Sequence, residues 1–148
     1  MPGMNNELMR QIIMDHYSYP RNHELIQDER YLSRHMDSES CIDDITVQAL
    51  IENGTIEDVR FNGEACAIST ASTSILSELM AGKSIPEAKN IIDNYLAMID
   101  ERDYDESVLE EAIAFQGVGK QANRINCATL GWKAMEEMIE ESEGKPNE

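Results

Sequence analysis

Apolar residues recur along this chain in two rhythms, first helical, then strand-like, then helical again to the end. Residues 5–17 place Leu8, Ile12 and Ile13 on one side of a helix that Pro20 stops. Residues 18–30 are polar and irregular, and a short strand is expected near 31–36. Next, Ile45, Val47 and Ala49 alternate with polar residues, Asn53-Gly54 marks a turn, and Val59 and Phe61 resume the alternation. A two-residue loop would set Val47 opposite Arg60 and Ile45 opposite Asn62, which splits the apolar face. A three-residue loop of Glu52-Asn53-Gly54 pairs Val47 with Val59 and Ile45 with Phe61, and predicts a type I turn with Gly54 left-handed in a bulge.

Helical spacing then takes over. Ile68, Ala71, Ile75 and Leu79 predict a helix over 68–81 with Gly82 as its stop. Ser84-Ile85-Pro86-Glu87 is a capping box, opening a helix whose buried face is Ile85, Ala88, Ile92, Tyr95 and Ile99. A charged loop at 100–106 leads to a short helix from Val108 to Phe115, broken by Gln116-Gly117-Val118-Gly119. The last helix is expected over 128–141, just after Cys127, with Leu130, Ala134, Met135, Met138 and Ile139 inward. Strands early and helices late predict an α+β domain, with a small antiparallel sheet of about three strands packed against helices. The 148 residues read as one domain, 1–148, with a disordered acidic tail over about 142–148.

Composition narrows the function classes. A net charge of −17 argues against a nucleic-acid partner, because phosphate binding needs clustered Lys and Arg. No apolar run approaches the roughly 18 residues of a membrane span, and Met1 to Arg10 lacks a signal-peptide apolar core. Three cysteines are an odd number, which speaks against a closed disulfide framework. The expectation is a reduced, cytoplasmic protein.

Those cysteines carry the candidate chemistry. They are Cys41, Cys66 and Cys127, with Asp43 two positions after the first. Three thiolates and a carboxylate make a full donor set for a tetrahedral zinc ion. Cys66 and Cys127 each precede a predicted helix, where unpaired N–H groups favour a thiolate. Arg124, three residues before Cys127, is the candidate to offset negative charge. A shared metal site and three separately buried cysteines both remain open from these residues alone. None of His16, His23 and His35 is spaced with another as a ligand pair, and they are assigned to the surface or to outer roles. The nine methionines and Trp132 are assigned to packing.

The words around the cysteines add a resemblance. Ile13-Met14-Asp15-His16-Tyr17 with Pro20-Arg21-Asn22, Gly63-Glu64-Ala65-Cys66-Ala67-Ile68-Ser69 with Ala71-Ser72, and Arg124-Ile125-Asn126-Cys127-Ala128-Thr129-Leu130 with Trp132-Lys133-Ala134 are similar in order to three motifs of one family. Over about residues 8–140 the chain resembles the SufU-type branch of the IscU/NifU N-terminal-like iron–sulfur cluster assembly proteins. The long segment between Cys66 and Cys127 resembles the insertion of that branch, and Asn126 stands where IscU proper has a histidine. Ile42 and Ala65 replace glycines of the family pattern.

The resemblance implies that Cys41, Asp43, Cys66 and Cys127 bind one Zn2+. It implies a sulfurtransferase in which Cys41 accepts persulfide sulfur from a PLP-dependent, SufS-like cysteine desulfurase, working with other Fe–S assembly proteins, with Arg124 offsetting charge. The alternatives are a scaffold that holds a transient [2Fe–2S] cluster or iron on the same residues, and a divergent non-catalytic paralogue that binds a partner.

Overall fold

The computed structural model describes residues 5–37 and 43–144. Cys41 and Ile42 therefore lie outside the described residues, as does the expected tail beyond Gly144. The elements run α1 (Asn6–Ser18), β1 (Leu32–Asp37), β2 (Asp44–Glu52), β3 (Thr55–Glu64), α2 (Ala67–Met80), α3 (Ile85–Ile99), three 3₁₀ turns (Glu106–Val108, Glu110–Phe115, Val118–Lys120) and α4 (Ala122–Ser142). The α+β class and the three-stranded antiparallel sheet, in the order β1-β2-β3, are as expected.

The hairpin differs from the expected register. Asn53 and Gly54 both have positive φ, 55° and 76°, so the loop is a two-residue turn of the primed type with Glu52 paired to Thr55. The apolar face is rescued further along: pairing passes from Ile51↔Ile56 to Leu50↔Asp58, leaving Glu57 as an extra, bulged residue. Val47 then sits opposite Phe61 and Ala49 opposite Val59, all four buried. The extra residue needed to align the two faces is thus in strand β3 and not in the loop.

Two other expectations are corrected. Helix α4 starts at Ala122, six residues before the expected 128, because nothing in Ala122–Asn126 breaks a helix and Ile125 packs on the core. The segment expected as a short helix from Val108 to Phe115 is two tighter turns that meet at buried Leu109. In α1, Leu8 is 43% exposed, and the residue carried inward is His16.

Helix α2 lies at the centre. Ser69, the run Ala71–Ser77, Leu79 and Met80 are all buried, because α1, β3, α4 and the turn Glu110–Phe115 all pack on this helix. Small hydroxyl residues make this possible, since a hydroxyl can bond locally where a longer polar side chain would not fit. Ser72 Oγ donates to the Ala128 carbonyl at 2.7 Å and accepts from Trp132 Nε1 at 3.0 Å. Tyr95 OH donates to the same carbonyl at 2.8 Å, and its ring stacks on Trp132 with centroids 3.8 Å apart. Burial pushes the Tyr95 phenol pKa well up, which keeps it a donor. This knot joins α2, α3 and α4 one residue after Cys127.

The helices α2 and α4 touch through Gly131. A Cβ there would lie 2.6 Å from Thr73 Oγ1 and 3.0 Å from Thr73 Cγ2. Gly131→Ala is expected to cost about 1–3 kcal/mol by overpacking, with Thr73→Ala in the same chain recovering part of that loss. Urea denaturation of the single and double variants measures the coupling; strictly additive losses would place the strain elsewhere.

Candidate metal centre

Asp43 immediately precedes β2, Cys66 is the N-cap of α2, and Cys127 lies in the second turn of α4. One ligand atom from each lies within 4.8 Å of the other two. Chain distance is bridged by the sheet and by the α2–α4 contact. The end of β3 reaches the centre through Gly63, whose φ is 132° and whose missing Cβ would strike the Asp44 carbonyl.

The three residues are held differently. Asp43 is 1% exposed, and its Oδ1 accepts the Cys66 backbone N–H at 2.8 Å. Its Oδ2 faces Cys66 Sγ at 4.0 Å. Cys66 is half-buried and caps its helix: Sγ accepts the Ser69 N–H at 3.4 Å, as an N-cap side chain does. Cys127 is only 3% exposed and sits inside the hydrogen-bonded body of α4. The expected helix-start environment therefore applies to Cys66 and not to Cys127.

The donor set fits a zinc ion. Zn–S distances near 2.3 Å and Zn–O distances near 2.0 Å would place tetrahedral ligand atoms roughly 3.5–3.8 Å apart, a small contraction from the present spacing. A second observation agrees. The Ser69 hydroxyl, one turn into α2, is buried without a hydrogen-bond partner among the described residues, as a group awaiting a stronger acceptor would be.

Arg124 lies in the first turn of α4, exposed, and makes no ion pair among the described residues. Of the two places expected for His16, the surface is excluded: the side chain is 1% exposed. Its Nδ1 meets Ser74 Oγ at 2.7 Å and its Nε2 meets Glu111 Oε1 at 2.8 Å. Glu78 lies near this pair, but both ring nitrogens of His16 are already engaged in tying α1 to α2 and to the 3₁₀ segment. His23 packs on Phe61, and His35 bonds Asp44 on the exposed side of the sheet. Trp132 packs, as expected.

Ser69 and the Ser72–Tyr95–Trp132 knot were not singled out from the sequence as parts of the site. The signal for Ser69 was its place as third helical residue after a capping cysteine. The knot had no local signal, because its members are 60 residues apart.

Asp43 has two tasks, and two substitutions separate them. Asp43→Asn keeps an oxygen for the Cys66 N–H and is expected to leave metal-free stability nearly unchanged. Asp43→Ala strands that N–H and is expected to cost about 1–3 kcal/mol. Both are expected to weaken zinc binding by at least about tenfold, since a charged donor is lost. Denaturation of the metal-free forms and chelator competition for zinc measure the two effects.

Comparison with known proteins gives one consistent picture. The family model for the NifU-like N terminal domain matches residues 8–148. The chain is 38% identical over 138 residues to the zinc-dependent sulfurtransferase SufU of Bacillus subtilis, covering 93% of this chain and 92% of that protein. It is 32% identical over 138 residues to the iron–sulfur cluster assembly scaffold protein IscU of Streptococcus pyogenes, covering 93% of this chain and 86% of that one. A crystal structure of an iron–sulfur cluster assembly scaffold protein for the SUF system from Fervidobacterium islandicum superposes with a TM-score of 0.80 at 32% identity, over 87% of this chain and 94% of that one.

Proposed function

Since the chain belongs to the NifU-like N-terminal domain family, as an iron–sulfur cluster assembly protein of the SufU/IscU type, we propose that it is a zinc-dependent sulfurtransferase that takes persulfide sulfur from a PLP-dependent cysteine desulfurase through Cys41. The observation that carries this reading is the convergence of Asp43, Cys66 and Cys127, with Cys41 only two positions from Asp43 in the chain. These four residues are the proposed ligands.

Bound there, zinc would hold the thiols as thiolates at neutral pH and damp their reactivity. Cys127, fixed in a helix and buried, and Cys66, fixed at a helix cap, are suited to remain in place. Cys41 is the residue proposed to leave the centre when the desulfurase docks. Its thiolate attacks the outer sulfur of the desulfurase persulfide. A new S–S bond forms to Cys41 as the desulfurase S–S bond breaks, and the electron pair leaves on the desulfurase thiolate. Arg124, exposed at the start of α4, is available to offset negative charge at the mouth of the site. The chemistry suits a reducing cytoplasm, where thiols persist. Among the described residues, no helix is long and apolar enough to cross a membrane.

A scaffold role is the second reading. Thiolates serve iron–sulfur clusters as well as zinc, and the Streptococcus pyogenes relative carries the scaffold name. The SufU relative is the more similar of the two and favours the transferase.

Metal content of untagged protein purified without chelator is expected to be about one zinc per chain, lowered or weakly held in Cys41→Ala. Incubation with a cysteine desulfurase and cysteine is expected to add about 32 Da to Cys41 in the wild type, the mass of one sulfur atom passed on by thiol exchange. A Cys41→Ala chain that stimulates the desulfurase fully would remove the relay, and iron with matching sulfide would establish the scaffold reading.

A further inference from the structure

Ser69 is wholly buried, and its Oγ has no hydrogen-bond partner among the described residues. The other buried serines of α2 are all satisfied: Ser72 by Ala128 and Trp132, Ser74 by His16 and Arg21, Ser77 by Ser74 and Asn22. A buried hydroxyl without a partner carries a desolvation cost that native proteins rarely keep without use.

Its position says what the use is. Ser69 is the third residue of a helix capped by Cys66, and its backbone N–H already bonds Cys66 Sγ. In a capping box the side chain at that position turns back toward the N-cap residue. Helix α3 shows the arrangement in this same protein, where the Glu87 side chain accepts the Ser84 N–H at 2.9 Å. In α2 the capping residue is a thiol, and the returning side chain is a hydroxyl donor. A thiol sulfur is a weak acceptor, whereas a thiolate is a charged and much stronger one.

We propose that the Ser69 hydroxyl is a tuning donor of the metal centre, hydrogen-bonded to a ligand sulfur when the centre is loaded. The inference rests on the metal reading above. It makes Ser69 a positioning residue that favours the loaded state by relieving a defect of the empty one. Such outer-sphere donors set ligand orientation and basicity.

The test is a pair of opposite signs. Ser69→Ala is expected to raise the melting temperature of the metal-free protein by about 3 °C, because the stranded hydroxyl is gone. The same variant is expected to bind Zn2+ about tenfold more weakly in competition with a chelating dye, and to shift the thiolate-to-cobalt charge-transfer band of the Co2+ form. Thr73→Val removes the other unpartnered buried hydroxyl of α2, one turn further along. It is expected to stabilise the metal-free protein with no change in affinity or cobalt spectrum. Unchanged Zn2+ affinity and an unchanged cobalt band in Ser69→Ala, while the wild type binds both ions, would overturn the inference alone. Loss of metal-free stability in Ser69→Ala would also overturn it, by showing that the hydroxyl had a partner. A wild type that takes up neither ion would overturn the metal reading and this inference together.

Discussion

A central helix buried on almost every face is the constraint on which the rest of the structure depends. Because α2 is enclosed by α1, β3, α4 and a 3₁₀ turn, its buried polar groups are all small hydroxyls, and those of Ser72, Ser74 and Ser77 are satisfied by neighbours. Those neighbours are consequently held in register: Trp132 and Ala128 of α4 by Ser72, Tyr95 of α3 by the same carbonyl, and His16 of α1 by Ser74. The close pass at Thr73 and Gly131 fixes the α2–α4 distance. The separation of Cys66 from Cys127 follows from that distance and needs no local feature of its own. The candidate metal centre is in this sense a by-product of core packing at the N-terminal end of α2.

Within that frame the proposed ligands differ in how they are held. Cys127 belongs to a helix body that shares a hydrogen-bonded knot with two other helices. Cys66 is a cap, held by one N–H and partly open to solvent. Asp43 is buried, yet it belongs to a strand end, where the chain comes from the segment that contains Cys41. Asp43 thus enters at the start of the central strand β2, on the side from which the chain arrives from Cys41. This division suits the proposed centre, in which Cys41 would leave while Cys66 and Cys127 would keep the ion.

The sequence made the elements legible where a single rhythm ran through them. The α3 face, its capping box and the alternation in β2 and β3 were read directly because local spacing determines which side is buried. The hairpin register was misread because the adjustment that aligns the two apolar faces can be made in the loop or in the strand, and alternation alone does not distinguish them. The bulge at Glu57 made it in the strand. The start of α4 was misread because Cys127 was treated as a boundary, although the residues before it carry no helix breaker. At the site, the identities of Asp43, Cys66 and Cys127 could be read from the donor chemistry and the surrounding motifs, but their meeting could not be read from spacing. It is made by contacts such as Ser72 to Trp132, which cross 60 residues. His16 was left between two places for the same reason: its burial depends on Ser74 and Glu111, 58 and 95 residues away.

The carboxylate gives the centre a property that a fourth thiolate would not. One oxygen of Asp43 is committed to the Cys66 N–H, so the side chain would hold an ion through the other oxygen. If that oxygen lets go, the bond to the N–H persists and the start of α2 stays capped. Loss of a coordination bond is thereby uncoupled from loss of structure. A cysteine at this place could hold an ion more tightly, since thiolate is the softer donor, but it would give the Cys66 N–H only a weak sulfur acceptor. A hard, two-headed ligand at this place would let the proposed zinc ion exchange without uncapping α2.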